Sequence, residues 1–259
     1  MSARSNEREM FIMHFDFRLA AATVMWSAAV AQAGEPKEPH LDVHVSIVNG
    51  KVRTGSIDAS DPKNPVITPG ARVFGAEFGK IIPDYTDEPG FEGTNLPAGA
   101  GIGFNVLAQL GAWNGGGFEP ADETITIAVD IGNPGLPSIT TGTGFVAGFD
   151  FAVADLSGVF HQHLDFLLNA AGEGPAPADG VYLLTLELTS GNTGSLPSRP
   201  FWIVFNQNSD EEMHDAAIDW VNEHLVPAPG VGAAAAVIGC AWLKRRRRLA
   251  AASGGKGAV

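Results

Sequence analysis

Two short runs carry the residues best suited to chemistry, His40-x-Asp42-x-His44 and His161-x-His163-x-Asp165. Imidazole nitrogens and carboxylate oxygens are good ligands for zinc and similar divalent ions. On a strand, residues two apart share a face, so each run presents its polar groups together. If the two strands are neighbours, His40, Asp42, His161 and His163 close one site for a divalent ion such as zinc, copper or manganese. The alternative is a solvated polar strand face that also holds histidines. A separate group, Asp84, Asp87, Glu88 and Glu92, sits in a Gly/Pro-rich stretch and offers the hard oxygen ligands that calcium takes. No EF-hand spacing accompanies it, so solvated acids are the competing reading. His214 and His224 fall roughly 80° out of register on a helix turning about 100° per residue, and read as surface.

Other catalytic chemistry finds little support. The chain has no G-x-S-x-G elbow and no H-E-x-x-H pair, and its single cysteine, Cys240, lies in a terminal apolar run. The Gly-rich stretches at 99–103 and 115–117 lack a P-loop lysine and read as turns. A glycosidase would need two carboxylates facing across a cleft, which spacing alone does not show. The expectation is a protein that is not an enzyme, with no catalytic residues.

The elements that must position these side chains are β-strands. Leu41, Val43, Val45 and Ile47 alternate with polar residues, and Asn49-Gly50 then supplies a tight hairpin turn. Further strands are expected over Val73–Phe78, Gly103–Leu110, Thr124–Val129, Phe145–Val153, Val181–Thr189 and Phe201–Phe205, with residues 84–101 as loop. Short strands with turn residues between them predict an all-β fold, an antiparallel β-sandwich of Ig-like or jelly-roll-like kind over residues 34–207. One amphipathic helix follows at 208–225. Ser209 and Glu212 form a capping box, and Met213, Ala217, Trp220, Val221 and Leu225 line one face.

Charge separates this body from the ends. Residues 34–225 hold 7 Lys and Arg against 26 Asp and Glu, a net −19. Such a surface offers no basic patch for phosphate backbones, which excludes nucleic acid as a partner. Residues 1–33 read as a signal peptide: Arg4, Arg8 and Arg18, an apolar run from Leu19 to Val30, then Ala31-Gln32-Ala33 for signal peptidase. At the other end, Val226-Pro227-Ala228-Pro229-Gly230 breaks the helix, and an uncharged stretch from Val231 to Leu243 follows. Lys244-Arg245-Arg246-Arg247-Arg248 then forms a cationic stop that stays cytoplasmic by the positive-inside rule. Residues 249–259 read as a disordered tail.

That tripartite end resembles the PEP-CTERM sorting signal of bacteria that make exopolysaccharide, with Ala228 where the family has Glu. The resemblance implies processing by an exosortase-like membrane enzyme and transient or retained anchoring through residues 226–248. It also implies a place in the cell envelope, on the surface or outside it, beside the exopolysaccharide matrix. The body is similar in layout to the actinobacterial surface-anchored repeat domain. The matching features are H-x-D at His40 and Asp42, L-P-A-G at Leu96 to Gly99, H-x-H at His161 and His163, and G-V-Y-L-L-T-L-E-L at Gly180 to Leu188. Pro200 to Asn206 looks more like PEP-CTERM-associated proteins. The first functional expectation is an exported, non-enzymatic structural or interaction protein of the cell surface or extracellular matrix. The second is an extracytoplasmic divalent-metal-binding module.

Overall fold

The computed structural model describes residues 41–61 and 63–227, all within one compact unit. The chain enters on a hairpin of β1 (Leu41–Val48) and β2 (Lys51–Asp58), followed by β3 (Val66–Pro69) and β4 (Val73–Glu77). Next come β5 (Tyr85–Thr86), β6 (Phe91–Gly93), β7 (Gly101–Val106), β8 (Gly111–Trp113) and β9 (Phe118–Pro120). The second half holds β10 (Thr124–Ala128), β11 (Ser138–Thr140), β12 (Val146–Val153), β13 (Phe160–Gln162) and β14 (Asp165–Asn169). It closes with β15 (Gly180–Thr189), β16 (Phe201–Gln207) and the helix α1 (Glu211–His224).

Among the described residues these strands form three sheets, ordered β13-β6-β1-β2-β3, β11-β10-β14-β5 and β12-β7-β15-β16-β4, with β8 and β9 branching from β15. The fold is mostly β, as expected, but not purely antiparallel. The pairs β1 with β6 and β4 with β16 are parallel. Parallel neighbours require a long crossover, and each pair is joined through several intervening strands. The stretch expected as loop holds β5 and β6. Gly101, expected in a turn, lies inside β7 with Gly103, the expected strand start, where a Cβ on Gly103 would sit 2.8 Å from the Phe149 carbonyl oxygen.

One core draws on all three sheets, with Val43, Val45 and Phe91 from the first, Ile125 and Phe166 from the second, and Leu184 and Phe205 from the third. Strand alternation divides β15 and β16 between two faces. Leu184, Leu186, Ile203 and Phe205 enter that core, while Val181, Leu183, Trp202 and Val204 turn the other way. The second face is covered by Ala217 and Val221 of α1. A strand buried on both faces reads as the continuous apolar run F-W-I-V-F, and each such Val or Leu contributes about 1.5–3 kcal/mol by leaving water.

The helix start differs by one residue from the expected capping box. Asp210, with extended backbone, is the N-cap and accepts from the Met213 amide at 2.7 Å. The buried stripe is also rotated: His214 is only 4% exposed beside Ala217 and Val221, while Met213 is 40% exposed. His214, expected on the surface, donates through Nε2 to the Val204 carbonyl at 2.9 Å, so Nε2 carries the proton. His224 is exposed, as expected.

Among the described residues no helix is long and apolar enough to cross a membrane. The apolar segments 19–30 and 231–243 lie outside those residues, as do Ala228, Pro229, Gly230 and the basic run Lys244 to Arg248. Of the sorting motif, Val226 and Pro227 are described, immediately after the Leu225 C-cap.

Candidate metal centre

The β1–β2 hairpin sets the first part of the site. Asn49 and Gly50 both take positive φ, 52° and 67°, the two-residue turn whose twist matches the flanking strands. The register runs without a break from Val48↔Lys51 to Leu41↔Asp58. Val43 and Val45 are fully buried in the core, so Asp42 and His44 stand on the opposite face of the sheet.

β1 and β13 are not neighbours, contrary to the condition placed on a shared site. β6 lies between them, pairing His44↔Glu92 on one side and His161↔Glu92 on the other. Phe91 is fully buried, which turns Glu92 to the same face as Asp42 and His44. His163 is not on the strand either: β13 ends at Gln162, and His163 lies in the link to β14.

The side chains nevertheless converge, because the residue between them at the site is a glycine. A Cβ on Gly90 would lie 2.8 Å from His163 Cε1, 2.9 Å from His163 Nε2 and 3.0 Å from Asp42 Oδ1. Gly90 therefore leaves the gap over which His163 and Asp42 approach from either side of the β6 entrance. Ligand atoms of Asp42, His161 and His163 all lie within 4.8 Å of one another. The Nε2 atoms of His161 and His163 are 3.0 Å apart. Two zinc–nitrogen bonds of about 2.0–2.1 Å at a tetrahedral angle would place the nitrogens about 3.3 Å apart, a few tenths of an ångström wider.

The surrounding groups orient these donors. His163 Nδ1 donates to the Asp87 carbonyl at 2.9 Å, which leaves Nε2 with its lone pair. His161 Nδ1 faces Glu92 Oε2 at 3.6 Å and Asp42 Oδ2 at 4.0 Å. Asp42, only 8% exposed, accepts the Gly90 amide at 3.1 Å, and the same amide donates to Glu88 Oε2 at 3.2 Å. Asp87, Glu88 and His163 form a second group of donors within 4.8 Å. The donor set is oxygen and imidazole nitrogen without sulfur, which suits zinc, manganese and copper.

Several expected members stand elsewhere. His40 lies outside the described residues. His44 turns along the sheet face to Thr94, Nε2 to Oγ1 at 2.7 Å, and burial holds its imidazole below the ordinary histidine range. Asp165 takes the Tyr85 hydroxyl and the Ile131 amide, each at 2.7 Å. The four acids considered for calcium do not act as one cluster: Asp84 bonds the Gln207 amide, while Glu88 and Glu92 join the histidines. Glu88, Gly90 and Glu92 are the residues that spacing did not assign to the histidine site. The run Glu88-Pro-Gly-Phe-Glu92 holds a single apolar residue, too short for an alternating pattern to mark the three-residue strand β6.

No family model matches the chain, and no curated protein matches it. Among solved structures, one described as a family 123 glycoside hydrolase from Clostridium perfringens aligns with 52% of this chain at 12% identity and a TM-score of 0.25. The chain spans 23% of the length of that structure. A hydrolase among the matches runs against the expectation that the protein is no enzyme, and that expectation is withdrawn. At this TM-score the likeness carries no activity, substrate or residue role onto the chain.

Proposed function

We propose that the protein is an exported surface domain that binds one divalent ion, zinc, copper or manganese, through Asp42, His161 and His163. The observation that carries this reading is the convergence of those three donors over Gly90, with ligand atoms within 4.8 Å of one another. Three protein ligands leave a position open for water or a further donor, and Glu88 stands beside it on the shared Gly90 amide. A bound ion would link β1 to the β13–β14 segment and neutralise the buried Asp42 carboxylate.

The wider assignment is part of the same proposal. The domain is a β-sandwich, supported by three sheets that share one core. It leaves the cytoplasm on the signal peptide 1–33, is sorted by the PEP-CTERM-like segment 226–248 with an exosortase-like enzyme, and resides at the cell surface or in the exopolysaccharide matrix. The net charge of −19 over residues 34–225 favours a second role there as a structural or interaction component, held to other acidic polymers by shared cations.

Isothermal titration of the full-length chain tests the metal reading. One zinc, copper or manganese ion per chain is expected, with affinity lowered at least about a hundredfold in a His161→Ala/His163→Ala variant. Absence of binding by all three ions removes the proposal. Fractionation of the native host tests export, and a full-length chain retained in the cytosol counts against it.

A further inference from the structure

The face that carries the metal centre continues across the sheet as a row of paired residues, His161, Glu92, His44, Gly55 and Pro69 on β13, β6, β1, β2 and β3. Beyond His44 this face hollows into a cleft of about 530 Å³, within the range of small-ligand sites. Gly55, the cross-strand partner of His44, lies beside the cleft-lining His44 ring. A Cβ there would lie 2.8 Å from the Thr68 carbonyl oxygen and 3.5 Å from His44 Nδ1. His44 Nδ1 thus sits above the glycine, and it has no hydrogen-bond partner among the described residues, its other nitrogen being engaged by Thr94.

Arg53 lines the same cleft, paired in register with Ser46. Arg53 is exposed and, like Lys51, Lys63, Arg72 and Arg199, forms no ion pair with a described acid, and among these cations it alone lines the cleft. Ser46, Thr94 and Asn95 add hydroxyl and amide groups, and Pro69 adds an apolar wall. One cation without an ion pair among the described residues, several neutral hydrogen-bonding groups and an apolar surface match a ligand with one carboxylate, several hydroxyls and a C–H face.

We propose that this cleft binds a polyhydroxylated carboxylate of monosaccharide to disaccharide size, with its carboxylate on Arg53 and its hydroxyls on His44 and Thr94. The site is separate from the metal centre and does not depend on it. Titration of the full-length chain with glucuronate, with glucose and acetate as controls, tests it. Saturable binding of glucuronate is expected, weakened at least about tenfold in Arg53→Gln and in Thr94→Val, and unchanged in His161→Ala/His163→Ala. Glucose and acetate should each bind at least about tenfold more weakly. The proposal is overturned by any of three results: no saturation with glucuronate at millimolar concentrations, equal binding to Arg53→Gln, or loss of binding in the histidine double variant. The last result would place the carboxylate on a metal ion, leaving the metal reading intact while removing this one.

Discussion

His161 and His163 meet nitrogen to nitrogen, Nε2 to Nε2 at 3.0 Å. The Asp87 carbonyl takes the Nδ1 proton of His163, so its Nε2 presents a lone pair. The Nδ1 of His161 faces two carboxylates, which favours a proton there and a lone pair on its Nε2 as well. Two lone pairs directed at each other repel unless a cation lies between them. A proton can serve, and so can a metal ion, which makes metal binding a competition with acid. The site is therefore expected to load at neutral pH and to release its ion on acidification.

Glu92 is expected to act through His161. Its carboxylate, 3.6 Å from Nδ1, orients the ring and raises the donor strength of Nε2. Glu92→Gln should lower metal affinity about 10–100-fold while leaving stoichiometry and the circular dichroism spectrum unchanged. An affinity equal to that of the wild type, measured by chelator competition, would remove Glu92 from the site.

Gly90→Ala probes the gap itself. The added methyl would meet the His163 ring at 2.8 Å and Asp42 Oδ1 at 3.0 Å, so one of them must move. Overpacking of this kind costs about 1–3 kcal/mol, readable as a lower urea midpoint. Metal affinity should fall with it. A variant that keeps full stability and full affinity is incompatible with convergence at this position.

The protein contains two tyrosines, and both phenols are held above the ordinary range near 10. Burial is the first cause for each, and for Tyr85 the bond to Asp165 adds to it. The fold keeps the neutral phenols while the unfolded chain ionises, so this stabilisation is complete below about pH 10 and is lost as pH rises further. Phenolate absorbance should therefore appear in step with alkaline unfolding, and Tyr85→Phe should flatten the dependence of the urea midpoint on pH. Ionisation of both residues near pH 10 with the fold intact would contradict the burial seen here.

Capping separates two adjacent residues. Asp210→Ala should cost about 1 kcal/mol, because it leaves the Met213 amide without its acceptor. Ser209→Ala should change the unfolding free energy measured in urea by no more than about 0.5 kcal/mol, since Ser209 engages Asn206 through its backbone alone. The reverse order of effects would restore the capping box expected from the sequence.

Much of the fold is local and was legible from the chain. Period-two alternation marks β1, β10 and β15, Asn49-Gly50 sets the hairpin, and the acidic turn before Met213 starts α1. These features depend on neighbours a few residues away, and the amino-acid pattern encodes them directly. That Asp42, His161 and His163 are donors of one chemical kind was also legible by type and spacing, and the structure brings them within 4.8 Å of one another. Which strands adjoin was not, because an apolar face specifies that it must be covered and not by what. Only the tertiary structure inserts β6 between β1 and β13, brings Glu88 and Glu92 from an apparent loop to the histidines, and turns His214 inward toward β16. The same holds for Gly90: its role comes from two side chains approaching from distant parts of the chain, and a missing Cβ acquires meaning only where the packed neighbours need its space.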